Sequence, residues 1–406
     1  MKSLDILISG ASIAGPAVAR LLNTQGHRTT VVERAPALRP GGQTVDLRGA
    51  GRLVIERMGL TDAVGATLLD QRGIALVDRH GRRRAQMPVE AFGGHGIVSS
   101  HEILRGDLAR VLYDATRPHT RYVWDDTVTA LDTDEDGVTA HFESAPAGRF
   151  DLVIGADGLH SAIRRAAFDP ATVREEEIGL QTAWFTARID EPLDGWFLMH
   201  NAPGGLVASL RPSRHPGEAK AGLSVREHAR LDRRDTDAQW RYFEERFDGA
   251  GWLVPQLLEQ MRVSPDYAFD SLARVLMPSW TTGRVALVGD AGYCPTPLTG
   301  LGTSLALVGA YVLVGELGRA DGHIPAAFAA YERVMRPYVT QGQQLPPLGA
   351  AGFAPSGRLA IAASRLSYRS MNVWPFQRIW ESQFTKAGAI DLPDYSTAGA
   401  TSNPAT

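Results

Sequence analysis

Residues able to hold a phosphate, a ribose or a developing negative charge recur at three separate places in this chain. Gly10-Ala11-Ser12-Ile13-Ala14-Gly15 follows the strand-length apolar run Leu4 to Ser9. It precedes Pro16 to Leu22, where Val18, Leu21 and Leu22 repeat at helical spacing. In a strand–turn–helix of this kind Gly10 permits the turn and Gly15 lets helix and strand approach. The helix start then turns its free N–H groups toward a pyrophosphate. Ser12 replaces the usual central glycine; it is small, and its hydroxyl can donate to a phosphate oxygen. The second place is Gly155-Ala156-Asp157-Gly158, and the third is Gly289-Asp290 followed by Gly300-Leu301-Gly302-Thr303-Ser304. A nicotinamide site needs only the first kind of motif. Contacts from three distant segments suit an extended FAD.

The elements around these motifs agree. A second strand, Thr29 to Val32, ends on Glu33, where a carboxylate can accept from both hydroxyls of an adenosine ribose. In isolation Glu33 also reads as a solvated strand-end carboxylate. Residues 1 to about 70 read as strand, helix, strand, loop, helix, with Gly26 and Gly59 where helices stop. Short strands are expected over 73–98 around the turn His80-Gly81, then a helix from Arg105 to Ala115. A hairpin pairs Thr127–Thr133 with Val138–Glu143 across Asp136-Gly137, and Phe150–Ala156 forms a buried strand. From about 170 to 275 amphipathic strands dominate, among them Trp184–Ile189, Trp196–Met199, Leu206–Leu210 and Ala221–Val225, with helix over 237–262. Arg284–Val288 returns to a buried strand, and the helix Thr303 to Leu317 opens from the glycine loop. Helices fill the tail from about 325, broken between Pro346 and Gly357; Ser396 to Thr406 is expected to be disordered.

The expected fold class is therefore α/β: a Rossmann-like FAD-binding domain interleaved with a mostly antiparallel substrate sheet, plus C-terminal helices. The divisions are 1–170 and 276–340 for the FAD-binding domain, 171–275 for the substrate sheet, 341–395 for the helical segment and 396–406 for the tail.

The chain has 406 residues with 42 Lys and Arg against 45 Asp and Glu, a net charge of −3, which gives no electrostatic case for nucleic acid or an anionic membrane. Arginine outnumbers lysine heavily, since only Lys2, Lys220 and Lys386 are lysine. The single cysteine, Cys294, cannot form a disulfide within the chain and reads as a small buried residue. No His and Cys group has metal-ligand spacing, so no metal is expected. With no signal-peptide pattern and no apolar run of spanning length, a cytoplasmic location is expected.

On these residues the chain resembles the class A flavoprotein aromatic hydroxylases, the family of para-hydroxybenzoate hydroxylase, phenol hydroxylase and the tetracycline-inactivating monooxygenases. The resemblance runs from residue 4 to about 340. It implies that Glu33 holds the adenosine ribose and that Arg34 and Arg39 lie near FAD or the incoming nicotinamide. Ile103-Leu104-Arg105-Gly106-Asp107-Leu108 resembles the family's Arg-x-Asp-Leu helix, which implies a cofactor contact for Arg105; alone, Arg105 reads as a surface helix charge. The run Gly155 to Arg164 resembles the segment serving both FAD and nicotinamide, with Asp157 within it. Asp290 stands where the family's ribitol-binding aspartate does, but Tyr293 replaces the usual companion histidine.

Reduced flavin carries negative charge over N1 and the C2 carbonyl, and Gly302, Thr303 and Ser304 are the backbone donors placed to stabilise it. The resemblance implies an FAD-dependent monooxygenase that consumes NADPH or NADH and O2 and hydroxylates an aromatic or polyketide-like small molecule through a flavin C4a-hydroperoxide. Arg34 suits a 2′-phosphate. Trp184 and Thr186 on one strand face, with His200, Arg211 and Pro297, are substrate-site candidates; no side chain is assigned as catalytic acid or base, because the flavin is the reagent. The residues leave two other readings open: a flavin dehydrogenase or reductase on the same fold, and a non-redox FAD-scaffolded cyclase or binding protein.

Overall fold

The computed structural model describes residues 3–39, 41–91, 99, 101–371 and 390–395. The aromatic segment Trp374, Phe376 and Trp380 and the tail from Ser396 lie outside them. Along the chain, β1 (Asp5–Ser9), α1 (Ala14–Thr24) and β2 (Arg28–Glu33) are followed by β3 (Thr44–Asp46), α2 (Gly49–Arg57) and α3 (Thr61–Gly65). Then come β4 (Gly73–Val77), β5 (Arg83–Pro88), β6 (Glu102–Leu104), α4 (Arg105–Thr116) and β7 (Thr120–Trp124). Next are β8 (Val128–Thr133), β9 (Val138–Phe142), β10 (Gly148–Phe150), β11 (Leu152–Gly155) and α5 (Ala162–Ala167).

The middle of the chain holds β12 (Arg174–Arg188), β13 (Trp196–Ala202), β14 (Leu206–Pro212), β15 (Glu218–Val225), α6 (Thr236–Phe247) and α7 (Val254–Val263). It continues with β16 (Ala268–Leu276), β17 (Thr281–Thr282), β18 (Val285–Leu287) and the single turn α8 (Asp290–Tyr293). The helices α9 (Gly302–Arg319), α10 (Ile324–Gly342), α11 (Gly349–Phe353) and α12 (Arg358–Met371) complete the described chain.

A six-stranded sheet runs in the order β17-β18-β11-β1-β2-β7, parallel except for the β17 edge. Helices such as α1 and α9 and the three-stranded antiparallel sheet β10-β9-β8 share its core, so Ile6, Leu7 and Ile8 are all fully buried, as a continuous apolar strand requires. Helix α9 is apolar all round and buried from Ser304 to Leu317, which makes it an interior helix rather than an amphipathic one.

The second sheet has seven strands, β16-β12-β15-β14-β13-β4-β5, antiparallel apart from the β13/β4 pair. Strands β4 and β5 therefore belong to it, although they lie before residue 170. The division at 170 is corrected by this pairing: Trp196 to His200 align with Gly73 to Val77 across more than a hundred residues of sequence. One face of the sheet, carrying Ala183, Phe185, Leu198 and Leu210, packs on α6 and α7 through Phe243, Phe247, Leu257 and Met261. Each of these four buried side chains contributes about 2 kcal/mol by removal from water. The other face carries Leu180, Trp184, Phe197, Met199 and Val207 and packs with Leu298 and Phe353.

The expected 237–262 helix is two helices, broken at the loop around Gly249 and Gly251, both with positive φ. Strand β7, which the expected elements do not include, adds to the sheet edge beside β2. No described helix is long and apolar enough to cross a membrane.

Candidate flavin site

The three motifs meet because the strands that carry them are neighbours. In the order β18-β11-β1-β2, the C-terminal ends deliver Gly289-Asp290, Gly155 to Gly158, Gly10 to Gly15 and Glu33 side by side. Register fixes this: Ser9 pairs with Gly155, and Gly155 with Leu287. The crevice outside the carboxyl ends of parallel strands is where α/β sheets bind ligands.

Packing at the first turn admits little besides glycine. Gly10 has φ +105°, and a Cβ there would stand 2.4 Å from the Ala156 carbonyl oxygen; a Cβ on Gly15 would stand 1.9 Å from that of Gly10. No side chain caps α1, so the N–H groups that follow Ile13, beginning with Ala14 and Gly15, are left to a ligand. Ser12 Oγ accepts a hydrogen bond of 3.1 Å from Arg105 Nη1.

Arg105 begins α4 and lies against the glycine loop: a Cβ on Gly42, whose φ is +114°, would meet its Nε at 2.5 Å. Burial, helped by Arg39, lowers the pKa of Arg105 while Glu33 and Asp266 raise it. Among the described residues no carboxylate lies within ion-pair distance of this guanidinium. A partly buried cation beside an uncapped helix start fits the pyrophosphate of FAD. A groove lined by Ala11, Ser12, Glu33, Ala37, Arg39, Arg105 and Trp124 opens over it.

Glu33 is buried at the end of β2. Its Oε2 accepts from Ala11 N at 2.9 Å and its Oε1 from Ala35 N at 3.0 Å, which leaves one lone pair on each oxygen for a ribose hydroxyl. Arg34 and Arg39 are exposed at the rim, Arg39 3.8 Å from Glu33.

Asp157 is engaged differently from the reading of it as a direct cofactor contact. Its carboxylate accepts from Ala162 N at 2.8 Å, Ile163 N at 3.2 Å, Ser161 Oγ at 2.5 Å and Ser9 Oγ at 3.3 Å, so it fixes the start of α5 and ties it to β1. Arg164, buried at the end of the same motif, donates to Ala291 O at 2.7 Å and pairs with Glu175. It locks the second motif to the third. Nothing beside Arg164 in its motif marks this role, because its partners Ala291 and Glu175 come from later segments.

At the third motif, burial raises the pKa of Asp290, opposed by Cys294 and reinforced by Asp270. Its Oδ1 faces Gly302, 3.7 Å from where a Cβ would stand. No side chain caps α9, so Gly302, Thr303 and Ser304 N–H point out of its start; the Ser304 hydroxyl donates instead to Arg48 O at 3.2 Å. Pro297 opens an exposed 3₁₀ turn through Thr299, and Gly300 takes a left-handed φ of +66°. Before it, Thr296 is buried at φ +71°, a conformation unusual for a β-branched residue, and its hydroxyl has no partner among the described residues.

Tyr293 turns away from the site: its hydroxyl lies 3.0 Å from that of Tyr331 on α10, and its ring stacks edge-on to Trp280. Cys294 is buried, its thiol pKa pushed up by burial.

The substrate-sheet candidates divide between two faces. Trp184 and Thr186 lie on the face turned to the flavin loop. Thr186 Oγ1 donates to Asp266 Oδ2 at 2.7 Å and accepts from Lys220 Nζ at 2.6 Å. Burial pushes the Asp266 pKa up, but Thr186 and Lys220 outweigh it and hold the carboxyl down at about 2. Arg211 is on the same face, but its charge is matched: it pairs with the fully buried Glu102, donates to Thr44 Oγ1 at 3.0 Å and stacks on Phe197. It ties the seven-stranded sheet to the two-stranded β3/β6 ribbon. His200 is a correction, because it lies on the far face under α6 and α7. Its ring nitrogens sit 3.2 Å from Val77 O and 3.0 Å from Ala250 O.

The comparisons with known proteins agree with this geometry. The family model described as FAD binding domain matches residues 3–337. An uncharacterized protein of Mycobacterium tuberculosis is 43% identical over 353 residues, covering 86% of this chain and 94% of that protein. A flavin-dependent monooxygenase of Legionella longbeachae is 36% identical over 344 residues, covering 84% and 88%. The crystal structure of tetracycline destructase Tet(51) superposes with a TM-score of 0.81 at 31% identity, covering 98% of this chain and all of that one. With its three motifs gathered at one crevice and these relatives beside it, the chain belongs to the FAD-dependent flavoprotein monooxygenases, which use NAD(P)H and O2.

Proposed function

We propose that the substrate is an aromatic or polyketide-like small molecule, hydroxylated in the space between the flavin loop and the inner face of the seven-stranded sheet. One observation carries this reading. Leu298 of the flavin loop packs in one apolar cluster with Ile74, Leu76, Phe197, Met199, Val207, Trp184 and Phe353, so the wall beside the loop is apolar and aromatic. Such a wall suits a flat, apolar ligand. Gly222 lacks a side chain where a Cβ would stand 3.7 Å from the Trp184 ring and 2.8 Å from Ser209 Oγ, which widens the sheet face at its centre. The likeness to tetracycline destructases and to flavin-dependent monooxygenases supports the same class.

The residues divide the work. Ala14 and Gly15 N–H, with Arg105 and Ser12, would hold the pyrophosphate; Glu33 would hold the adenosine ribose and Asp290 the ribityl chain. Gly302, Thr303 and Ser304 N–H would stabilise negative charge on the reduced ring. Bound FAD supplies hydride acceptance and oxygen activation. The sheet positions the substrate and excludes water from it. Arg34, exposed beside Glu33, suits the 2′-phosphate of NADPH, and the location we assign is the cytoplasm.

Trp184→Ala and Phe197→Ala test the substrate surface. Both are expected to raise KM for an activating phenolic or polycyclic compound by about tenfold while leaving FAD content unchanged. Equal loss of FAD, or an unchanged KM, would place the substrate elsewhere.

A further inference from the structure

The segment Ile390 to Tyr395 crosses the back of the flavin-binding half in a groove between α2 and α9. Its backbone is read by arginines: Arg57 Nη1 donates to Pro393 O at 2.8 Å, Tyr311 Oη donates to the same oxygen at 3.1 Å, and Arg319 Nη2 donates to Asp394 O at 3.0 Å. Tyr395 is the anchor. Its ring is buried between Tyr311 and the Arg319 guanidinium, which lies 4.5 Å from the ring centroid, and its hydroxyl donates to the buried Glu316 at 2.7 Å.

Helix α9 is shaped for this ring. A Cβ on Gly315 would stand 2.2, 2.3 and 2.5 Å from three Tyr395 ring carbons. Glycine inside a helix costs roughly 1 kcal/mol relative to alanine. Among the described residues the three nearest atoms to that position all belong to Tyr395.

The two helices that hold the segment also meet at the flavin end. Gly51 of α2 lies against Ser304 of α9, where a Cβ would stand 2.8 Å from Ser304 Oγ, and Ser304 Oγ donates to Arg48 O. From Gly51 and Ser304 the helices run side by side to Arg57 and Tyr311, which are joined by a 2.6 Å hydrogen bond. The clasp at Gly315 and Glu316 thus sits about 20 Å along α9 from its ligand-facing start at Gly302, at 1.5 Å per residue.

We propose that the groove between α2 and α9 is a docking site for a Pro-Asp-Tyr peptide, that its ligand is this chain's own Ile390–Tyr395, and that docking sets how tightly FAD is held. The clasp fixes α2 against α9, and the start of α9 presents the N–H groups at Gly302 and Thr303. The inference rests on the flavin reading of that site.

FAD release, followed by the rise in flavin fluorescence, is compared for the full chain, a chain ended before Ile390, and Tyr395→Ala, with the melting temperature of each FAD-free protein alongside. Release about tenfold faster is expected in both altered proteins. An end-blocked Ile390–Tyr395 peptide is expected to bind the shortened chain saturably and restore slow release. Gly315→Ala, which keeps the tail but drives a methyl into the ring, is expected to match Tyr395→Ala and add nothing to it. This pair of full-length variants carries the test if the shortened chain does not fold. FAD release at the full-chain rate in Tyr395→Ala and Gly315→Ala overturns the proposal, whatever their melting temperatures. A full chain that holds no FAD would count against the flavin site itself, not the clasp.

Discussion

Arg105 Nη1 lies 3.1 Å from Ser12 Oγ, so the residue that interrupts the glycine pattern of the first turn is met by a partly buried arginine from the start of α4. Among the described residues the guanidinium has no carboxylate within ion-pair distance, and burial depresses its pKa. An anion bound at the turn would supply the missing countercharge. Arg105→Met, which keeps most of the volume and removes the charge, is expected to weaken FAD binding by about 2 kcal/mol, roughly 30-fold in Kd. The FAD-free protein should not lose stability, because a partly buried cation with no carboxylate in ion-pair distance among the described residues is removed. Fluorescence titration with FAD and melting of the FAD-free protein check the two halves.

Glu33 uses one lone pair of each oxygen on Ala11 N and Ala35 N. In Glu33→Gln an amide NH2 would face one of those N–H groups, leaving a buried donor unpaired. A stability loss of about 1–2 kcal/mol is expected without FAD, together with weaker FAD binding. Denaturant unfolding with and without FAD separates the effects.

The Thr186, Lys220 and Asp266 cluster gives a pH dependence whose sign is fixed. Asp266 has its pKa held at about 2, below its ordinary 3.8. Its contribution is therefore present above about pH 4 and lost as pH falls through 2. The shift corresponds to about 2 kcal/mol. Asp266→Asn is expected to lower stability at pH 7 and to flatten the stability profile between pH 4 and 2; an unflattened profile would show that the cluster does not stabilise the fold.

Tyr293 and Gly309 form a tested pair by geometry. A Cβ on Gly309 would stand 1.9 Å from Tyr293 Oη but 3.2 Å from the ring carbon that bears it. Gly309→Ala is expected to cost about 2–3 kcal/mol through overpacking. In a Tyr293→Phe background the same change should cost under about 1 kcal/mol, since the clashing atom is gone, and a double-mutant cycle by thermal or denaturant unfolding reads the difference.

What the sequence made legible was local. The turn from Gly10 to Gly15, the Asp136-Gly137 hairpin, the helix from Arg105 and the return strand at Val285 are each specified by neighbours within a few residues, and all appear in the fold. The parts that were not legible depend on distant partners. Strand β4 gives no sign in its own residues that it will pair with β13. Period-two alternation separates Trp184 from Phe185 but does not say which face α6 and α7 will cover, so His200 read as a pocket residue although it packs under those helices. Arg211 looked free because its partner, Glu102, is 109 residues away. Asp157 reads as a ligand contact until the start of α5 is seen to occupy its oxygens. The direction of Tyr293 follows from Gly309 and Tyr331, neither of which lies in its motif.

The most direct measurement is the fate of isotopically labelled O2 while the FAD-loaded protein oxidises NADPH or NADH in the presence of phenolic and polycyclic compounds. One compound is expected to accelerate nicotinamide oxidation and to return as a product carrying one labelled oxygen atom. Turnover of a compound with nicotinamide consumed but no label in the product, or product formed with no nicotinamide consumed, would contradict hydroxylation at this site.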